Sequence, residues 1–535
     1  MQNVGCQFNY RYLLRNKTIM ARVKKEKKQA EQSFEATLWE AANKLRGNLD
    51  APEYKTVILG LIFLKYISDR YEARQAEIEA EGGDINDPDE YLAANVCIVP
   101  EKARWPYVAS YATQEEIGQV IDSAMQSIEE ANGQFRGRNI LPKNFSRPEL
   151  DKARLGEVVT TFDNLPLHDP KQERDILGRA YEYCLAKFAE GEGRKAGEFY
   201  TPACIVRTIV EILQPYSGRV YDPCCGSGGM FVQSAKFIEK HGGQSDDISI
   251  YGQESNSNTY KMAQMNLAIR GLEANIQCGD TFTDDKHAAQ EAKDSQEGKQ
   301  ALKFDFIMAN PPFNMDDWHA DKLESDVRFK TYGTPPQGNA NFAWFEHMIY
   351  HLSDKGRLGC VMANGSLSSQ ESGEGEIRRN MIKADLVEAI IALPAKLFYT
   401  TQIPACLWFL AKDKKQKGKT LFIDARQLGR AVTRKLSELT EADIQKMADT
   451  YKAFAEGKLE NEVGFCAVVS TEDIAKQDYI LTPGRYVGIA EQEEDGEPFA
   501  EKMARLTKEL SSLFAQSHQL EAEIKEKLGA IGYEI

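Results

Sequence analysis

The stretch Phe304-Asp-Phe-Ile-Met-Ala-Asn310-Pro311-Pro312-Phe313 joins an apolar run to an amide, two prolines and an aromatic ring. Neither proline can donate to a sheet ladder or continue a helix, so the run must end there in a stiff extended turn. Such a turn offers the Asn310 side-chain oxygen and a fixed backbone carbonyl as paired acceptors beside the flat ring of Phe313. Paired acceptors next to a ring suit a planar group with an exocyclic amine: the acceptors take its N–H bonds while the ring stacks on it. Four residues of this kind also recur by chance in ordinary loops, so their weight depends on what surrounds them.

Three other segments carry complementary chemistry. Asp222-Pro-Cys-Cys-Gly226-Ser227-Gly228-Gly229 follows a β-type run at 219–221 and precedes a helical one at 230–240 that opens with Met230. Glycines at a strand-to-helix turn let a ligand approach the backbone, and the helix start favours a carboxylate or another negative group. The spacing matches neither a dinucleotide-binding G-x-G-x-x-G nor a phosphate loop. The run 248–251 leads to Glu254, a carboxylate placed where a ribose diol would lie. The run 275–277 leads to Asp280-Thr281-Phe282, where Asp280 could accept from an adenine amino group and Phe282 pack on its ring. One carboxylate at a strand end is ordinarily a solvated residue. Complementary groups at four successive strand ends are much harder to dismiss.

These groups need a scaffold that brings strand ends together. Beyond Gly197 the chain alternates β-type runs, at 219–221, 248–251, 275–277, 304–308, 357–362, 386–393 and 405–410, with helical ones. That alternation implies an α/β fold with a mixed, mostly parallel sheet covered by helices on both faces, and ligands then bind at the carboxyl ends of the strands. Before it, helical stripes and capping signals imply an all-helical N-terminal domain over 33–190, with stretches at 113–132 and 172–188. Residues 1–32 read as a polar basic arm, and Met20 offers an alternative start. The catalytic domain is expected over 191–412, with an extension at 413–490 that includes a strand at 420–424 and a helix at 439–454. The polar tract 284–303 and the stretch 314–341 read as insertions, and the second, following the Pro-Pro turn directly, is the expected closing loop. At 491–535, Phe499, Met503, Leu506, Leu510, Leu513, Leu520 and Ile524 recur at alternating heptad positions, the mark of an amphipathic helix that meets a partner or its own domain.

Phe199-Tyr200-Thr201-Pro202, Asp222-Pro-x-x-Gly226-Ser227-Gly228, Glu254, Asp280 and Asn310-Pro311-Pro312-Phe313, in that order, resemble the S-adenosylmethionine-dependent amino-methyltransferases of DNA, in the gamma arrangement of adenine-N6 enzymes. Ala36-Thr-Leu-Trp39, Leu64-Lys-Tyr-Ile-Ser-Asp69, Asn339-Ala-Asn-Phe-Ala-Trp344 and Leu393-Pro394 extend the likeness to the modification subunit of type I restriction-modification systems. The resemblance implies a Rossmann-like methyltransferase domain that binds S-adenosylmethionine, with Phe199, Thr201, Gly226, Ser227 and Gly228 at its methionine end and Glu198, Tyr200, Asp222, Gly229 and Met230 also among the cofactor-binding residues. Glu254 would bind the ribose, and Asp280, Thr281 and Phe282 the adenine. Asn310 and the Pro311 carbonyl would hold the amino group of a flipped adenine, with Pro312 stiffening the turn and Phe313 stacking on the base. It also implies partners: double-stranded DNA, a specificity subunit that carries a pair of modification subunits, and a restriction subunit that can join.

Composition bounds the alternatives. The 535 residues carry a net charge of −15, which suits a DNA enzyme only if a partner supplies much of the basic surface. The ten cysteines include no C-x-x-C pair, so neither a zinc site nor a disulfide framework is indicated, and a cytoplasmic location fits. No run approaches a membrane span. The rivals are methylation of cytosine N4 or of a protein glutamine amide, and a catalytically silent structural subunit. Tyrosine in place of Phe313 would have favoured the glutamine class, and the intact Asn-Pro-Pro-Phe argues against silence.

Overall fold

The structure is a computed structural model and describes residues 39–40, 43–45, 51–163, 183–184, 201–288, 301–398, 403–433, 436–489 and 499–530. The expected basic arm, the 172–188 helix apart from 183–184, and Glu198, Phe199 and Tyr200 lie outside the described residues. Two compact units are present, Met1–Val487 and Gly488–Ile535.

The first unit begins with helices around α1 (Ala51–Glu81), which runs from a segment with no polar face, and Val57, Leu59, Leu61, Phe63 and Leu64 are all fully buried. A helix apolar all round must lie inside its bundle. Lys65, which follows this apolar run, pairs with Asp69 at 2.7 Å beside the Trp105 ring. α2 (Ile117–Ala131) and α3 (Lys152–Asp163) pack around α1, with Trp105 buried and its indole N–H donating to Asp163. This hydrophobic cluster continues into Met262, Met265 and Ile269, so the helical segment is docked on the sheet-bearing segment by shared core.

After α4 (Ala203–Leu213) come β1 (Gly218–Asp222), α5 (Gly229–Lys240), β2 (Ile248–Glu254), α6 (Ser257–Ala268), β3 (Ala274–Cys278), β4 (Phe304–Ala309), α7 (Asn341–His351), β5 (Leu352–Ala363), α8 (Glu374–Lys383), β6 (Val387–Ala392), β7 (Ala405–Ala411), β8 (Lys419–Asp424), α9 (Glu441–Ala455) and β9 (Cys466–Ser470). Among the described residues the strands form a nine-stranded sheet in the order β9-β8-β6-β7-β5-β4-β1-β2-β3. β3, β2, β1, β4 and β5 are mutually parallel, β7 runs antiparallel between β5 and β6, and β9 is antiparallel to β8. All eight expected strands are present. β9, which follows no clear period in sequence, adds an edge, so residues beyond 412 continue the same sheet. β7 (Ala-Cys-Leu-Trp-Phe-Leu-Ala) is buried along its whole length, as a strand covered on both faces must be.

The chain steps from β1 to β2 on one side and returns to place β4 on the other. That reversal opens a crevice at the carboxyl ends of β1 and β4, and Asp222, Glu254 and Asn310 all end on it. The second unit contains α10 (Phe499–Ala530), in the expected position of the terminal helix. No helix among the described residues is long and apolar enough to cross a membrane.

Candidate active site

The turn after β1 is held from within. Asp222 is buried, its Oδ1 accepting from the Cys224 backbone N–H at 3.0 Å. Gly226 and Gly228 take φ of 55° and 79°, the left-handed region where a side chain would be strained. Glu254, at the end of β2, reaches across to this turn: Oε2 accepts from the Gly226 N–H at 3.1 Å and Oε1 from Asn256 at 2.8 Å. Burial drives both carboxyls upward, Asp222 to about 7, against the hydrogen bonds that favour their ionised forms. The Ser227 carbonyl is fixed by the Asn266 amide at 2.6 Å, while Gly229 and Met230 open α5.

The turn after β3 is tied to the same place. The Gly279 N–H donates to the Glu254 carbonyl, and Thr281 Oγ1 donates to the Pro223 carbonyl at 2.5 Å. Asp280 spends Oδ1 on its own turn, accepting from the Phe282 and Thr283 N–H groups and the Thr283 hydroxyl. Phe282 corrects the expectation. Its ring is 1% exposed and packs against Trp344 and Trp318, with centroids at 4.3 and 5.3 Å, so it belongs to the core and presents no free face for stacking an adenine. Its neighbours come from residues far along the chain, which strand-end reasoning could not see.

At the end of β4 the Asn310 amide donates through Nδ2 to Thr201 Oγ1 at 2.9 Å, which fixes the plane of the side chain and leaves Oδ1 as the other pole. That oxygen is buried and has no hydrogen-bond partner. Pro311 is buried, Pro312 and Phe313 are half-buried, and the Phe313 ring meets Phe398 edge-on at 6.0 Å. Of the expected site residues that are described, Asp222, Gly226, Ser227, Gly228, Glu254 and Thr281 are thus joined through hydrogen bonds and the one Gly-rich turn, and Thr201 and Asn310 form a second, separate pair.

The stretch after the motif is not a free lid. Asn314 (φ 53°) receives the Asn341 amide on its side-chain oxygen at 2.9 Å and donates its N–H back to Asn341 Oδ1 at 3.0 Å, closing the loop at its base. Trp318 is buried and donates to the Pro336 carbonyl, and Arg328 and Phe329 are buried as well. Several functional-looking groups escaped the sequence reading. Gln253, fully buried, donates to the carbonyls of Gly279 and Asp284. Glu346 on α7 is 1% exposed with neither oxygen hydrogen-bonded, and burial raises its pKa to about 8. A polar residue on a helix that is apolar nearly all round is the signal that could have found Glu346.

Comparison with known proteins gives consistent results. The family model for N-6 DNA methylases matches residues 172–495, and that for the HsdM N-terminal domain matches 34–162. The methylase subunit of the type I restriction enzyme HindI of Haemophilus influenzae is 47% identical over 429 residues, covering 78% of this chain and 93% of that protein. The MjaIX methylase subunit of Methanocaldococcus jannaschii is 38% identical over 544 residues, covering 97% and 95%. Among solved structures, the methyltransferase subunit of a type I restriction-modification system from Streptococcus thermophilus has a TM-score of 0.70 at 25% identity, covering 85% of this chain and 99% of that one.

Proposed function

The chain belongs to the N-6 DNA methylase family as the methylase subunit of a type I restriction enzyme, an adenine-specific DNA methyltransferase, and on that premise we propose how its residues do the work. The methyl donor is S-adenosylmethionine, the acceptor is the amino group of an adenine flipped out of duplex DNA, and the sequence is read by a separate specificity subunit. The observation that carries this reading is the Asn310 amide, fixed at one pole by Thr201 and buried without a partner at the other. A buried acceptor is costly unless a donor arrives, and an adenine N–H is such a donor.

The crevice fits the donor molecule. Two buried carboxyls, Asp222 and Glu254, face one Gly-rich turn, and among the described residues no lysine or arginine pairs with either, which suits a ligand carrying positive charge and hydroxyl donors. S-adenosylmethionine supplies an electrophilic methyl group on a sulfonium. Asn310 Oδ1 and the Pro311 carbonyl accept the two amino N–H bonds, draw electron density onto the nitrogen and aim its lone pair. This is catalysis by orientation. An amide oxygen is too weak a base to retain the proton, which is released to solvent. Phe313, half-buried and braced by Phe398, supports the flipped base. Asp280 retains Oδ2 for the adenine of the cofactor. DNA lies in the cytoplasm of a bacterium or archaeon, and we place the enzyme there, with a pair of these chains on each specificity subunit and a restriction subunit able to join.

The test is transfer of labelled methyl from S-adenosylmethionine to duplex DNA by the chain with and without its specificity subunit. Label in adenine, dependent on both, is expected. Label in cytosine or protein would overturn the assigned acceptor, and failure of the chain to bind S-adenosylmethionine would favour a silent scaffold. Asn310→Ala should lower kcat by roughly a hundredfold to a thousandfold, the scale of removing one fixed polar group from a transition state, while the Kd for S-adenosylmethionine stays within about twofold.

A further inference from the structure

We propose that Arg328 is a positioning residue that fastens the turn carrying Asp280 and Thr281 to the loop following Asn310-Pro311-Pro312-Phe313, so that one buried guanidinium aligns the cofactor side of the crevice with the target-base side. The inference rests on the functional reading above. Arg328 lies in a short 3-10 turn, Val327–Phe329, within the loop that Asn314 and Asn341 close. Its side chain is only 7% exposed. Nε and Nη2 form a fork on the Asp326 carboxylate at 3.0 and 2.7 Å, which sets the plane of the group. Nη1 donates to the Thr281 carbonyl at 3.0 Å and Nη2 to the Phe282 carbonyl at 2.5 Å, both in the turn after β3. Nη1 also donates to His347 Nδ1 at 3.0 Å on α7, and His347 Nε2 meets the Tyr221 hydroxyl at 3.2 Å, one residue before Asp222. A single side chain therefore touches the β3 turn and the post-motif loop directly, and β1 through one histidine.

The neighbouring acidic and imidazole groups could be taken for a metal site, since Asp285, His347 and His351 bring ligand-type atoms within 4.8 Å of one another. Their partners say otherwise. His347 Nδ1 is occupied by Arg328. The two ring nitrogens of His351 face the Asp285 carboxylate and the Leu302 carbonyl, both at 2.9 Å, so both are taken up within the protein. Arg328 Nη1 stands 3.4 Å from the same Asp285 oxygen. Burial works against the Asp285 carboxylate, but the His351 hydrogen bond and the nearby positive groups hold it well below the usual range, as an anion. Arg328 is the side chain on which this cluster converges. Its planar fork meets main-chain carbonyls and carboxylates in different directions at once, which an ammonium cannot do.

The experiment uses the full chain and two variants, Arg328→Lys and Asp326→Asn, the latter loosening the guanidinium without removing it, each assembled with the specificity subunit where turnover is read. Circular dichroism fixes a temperature at which each is folded, and S-adenosylmethionine binding is then titrated calorimetrically. Indole fluorescence reports the turn, because Trp318 and Trp344 pack on Phe282. Arg328→Lys should weaken binding by about tenfold to a hundredfold and lower kcat at saturating cofactor, the cost of misplacing groups by about an ångström. Asp326→Asn should move both in the same direction by less, and both variants should lose part of the fluorescence change on binding. A folded Arg328→Lys protein with wild-type Kd and kcat overturns the proposal. Should Arg328→Lys fail to fold, Asp326→Asn decides alone, and wild-type values there overturn it equally. If the wild-type chain binds no S-adenosylmethionine, the functional reading falls and this inference with it; binding by the wild type with unmoved variants sinks the inference only.

Discussion

Asp222 is a carboxyl that folding makes harder to ionise, and that has a consequence for stability with a definite sign. Burial raises it to about 7 in the folded chain, against an ordinary carboxyl near 4 when unfolded. Between those values the folded chain holds a proton that the unfolded chain has released. The group's contribution to stability is therefore fully present below about pH 4 and is lost as the pH rises through about 7, on the order of 4 kcal/mol by linkage. Glu254 is shifted in the same direction by burial and adds to the slope. Asp222→Asn keeps an oxygen for the Cys224 N–H and removes the titration. Urea unfolding at pH 5 and pH 8 should show the variant less pH-dependent than the wild type and more stable than it at pH 8. The same variant should bind S-adenosylmethionine more weakly, and wild-type binding should tighten as the pH rises from about 6 to 8, because the ionised carboxylates await a positively charged ligand. An unaltered pH slope in Asp222→Asn would mean that this carboxyl is already ionised in the folded chain.

The helices and strands divide into those whose reason is local and those whose reason is remote, and that division explains what could be read in the sequence. Each strand from β1 to β8 carries its own apolar run and its own stop, so the sheet and the strand-end groups Asp222, Glu254 and Asn310 were legible. Phe282 was legible as a ring at a strand end, but its burial depends on Trp318 and Trp344, more than thirty positions away, and no local pattern encodes that. The loop between β4 and α7 was legible only as a long interval. Its order comes from Asn314 with Asn341, Trp318 with the Pro336 carbonyl, and Arg328 with the Thr281 and Phe282 carbonyls, all hydrogen bonds between residues distant in the chain. Asn341→Ala tests whether that closure matters. It removes a 2% exposed side chain that both donates to and accepts from Asn314. A loss of about 1 kcal/mol is expected from the hydrogen bonds removed, since Asn314 itself is exposed and its groups can turn to water. Methyl transfer should fall as well, since Asn314 directly follows Phe313, whereas a loop that merely tolerates its surroundings would lose stability and keep kcat.

The whole molecule is an acidic enzyme with an unshielded apolar helix. A net charge of −15 does not by itself gather phosphates, and on the proposed function a DNA-bound state is expected to draw much of its salt-dependent affinity from basic surface on a partner. The second unit is where that assembly can be anchored. Along α10, Met503, Leu506, Leu510, Leu513, Phe514 and Leu520 are between 43% and 59% exposed, a stripe too long for chance on a surface helix. Burying a large apolar side chain is worth about 1.5–3 kcal/mol, so even a partial covering of this stripe stabilises a complex substantially. The expected occupant is a helix of the specificity subunit, met in heptad fashion. Deleting residues 499–535 leaves the first unit with its own core, so the truncated chain should fold and bind S-adenosylmethionine within about twofold of the full chain. Its sedimentation with the specificity subunit should show association weakened by at least about tenfold, and adenine methylation should fall in proportion. If the truncated chain assembles normally, the stripe serves something else. If it fails to fold, the helix is part of the first unit's own core.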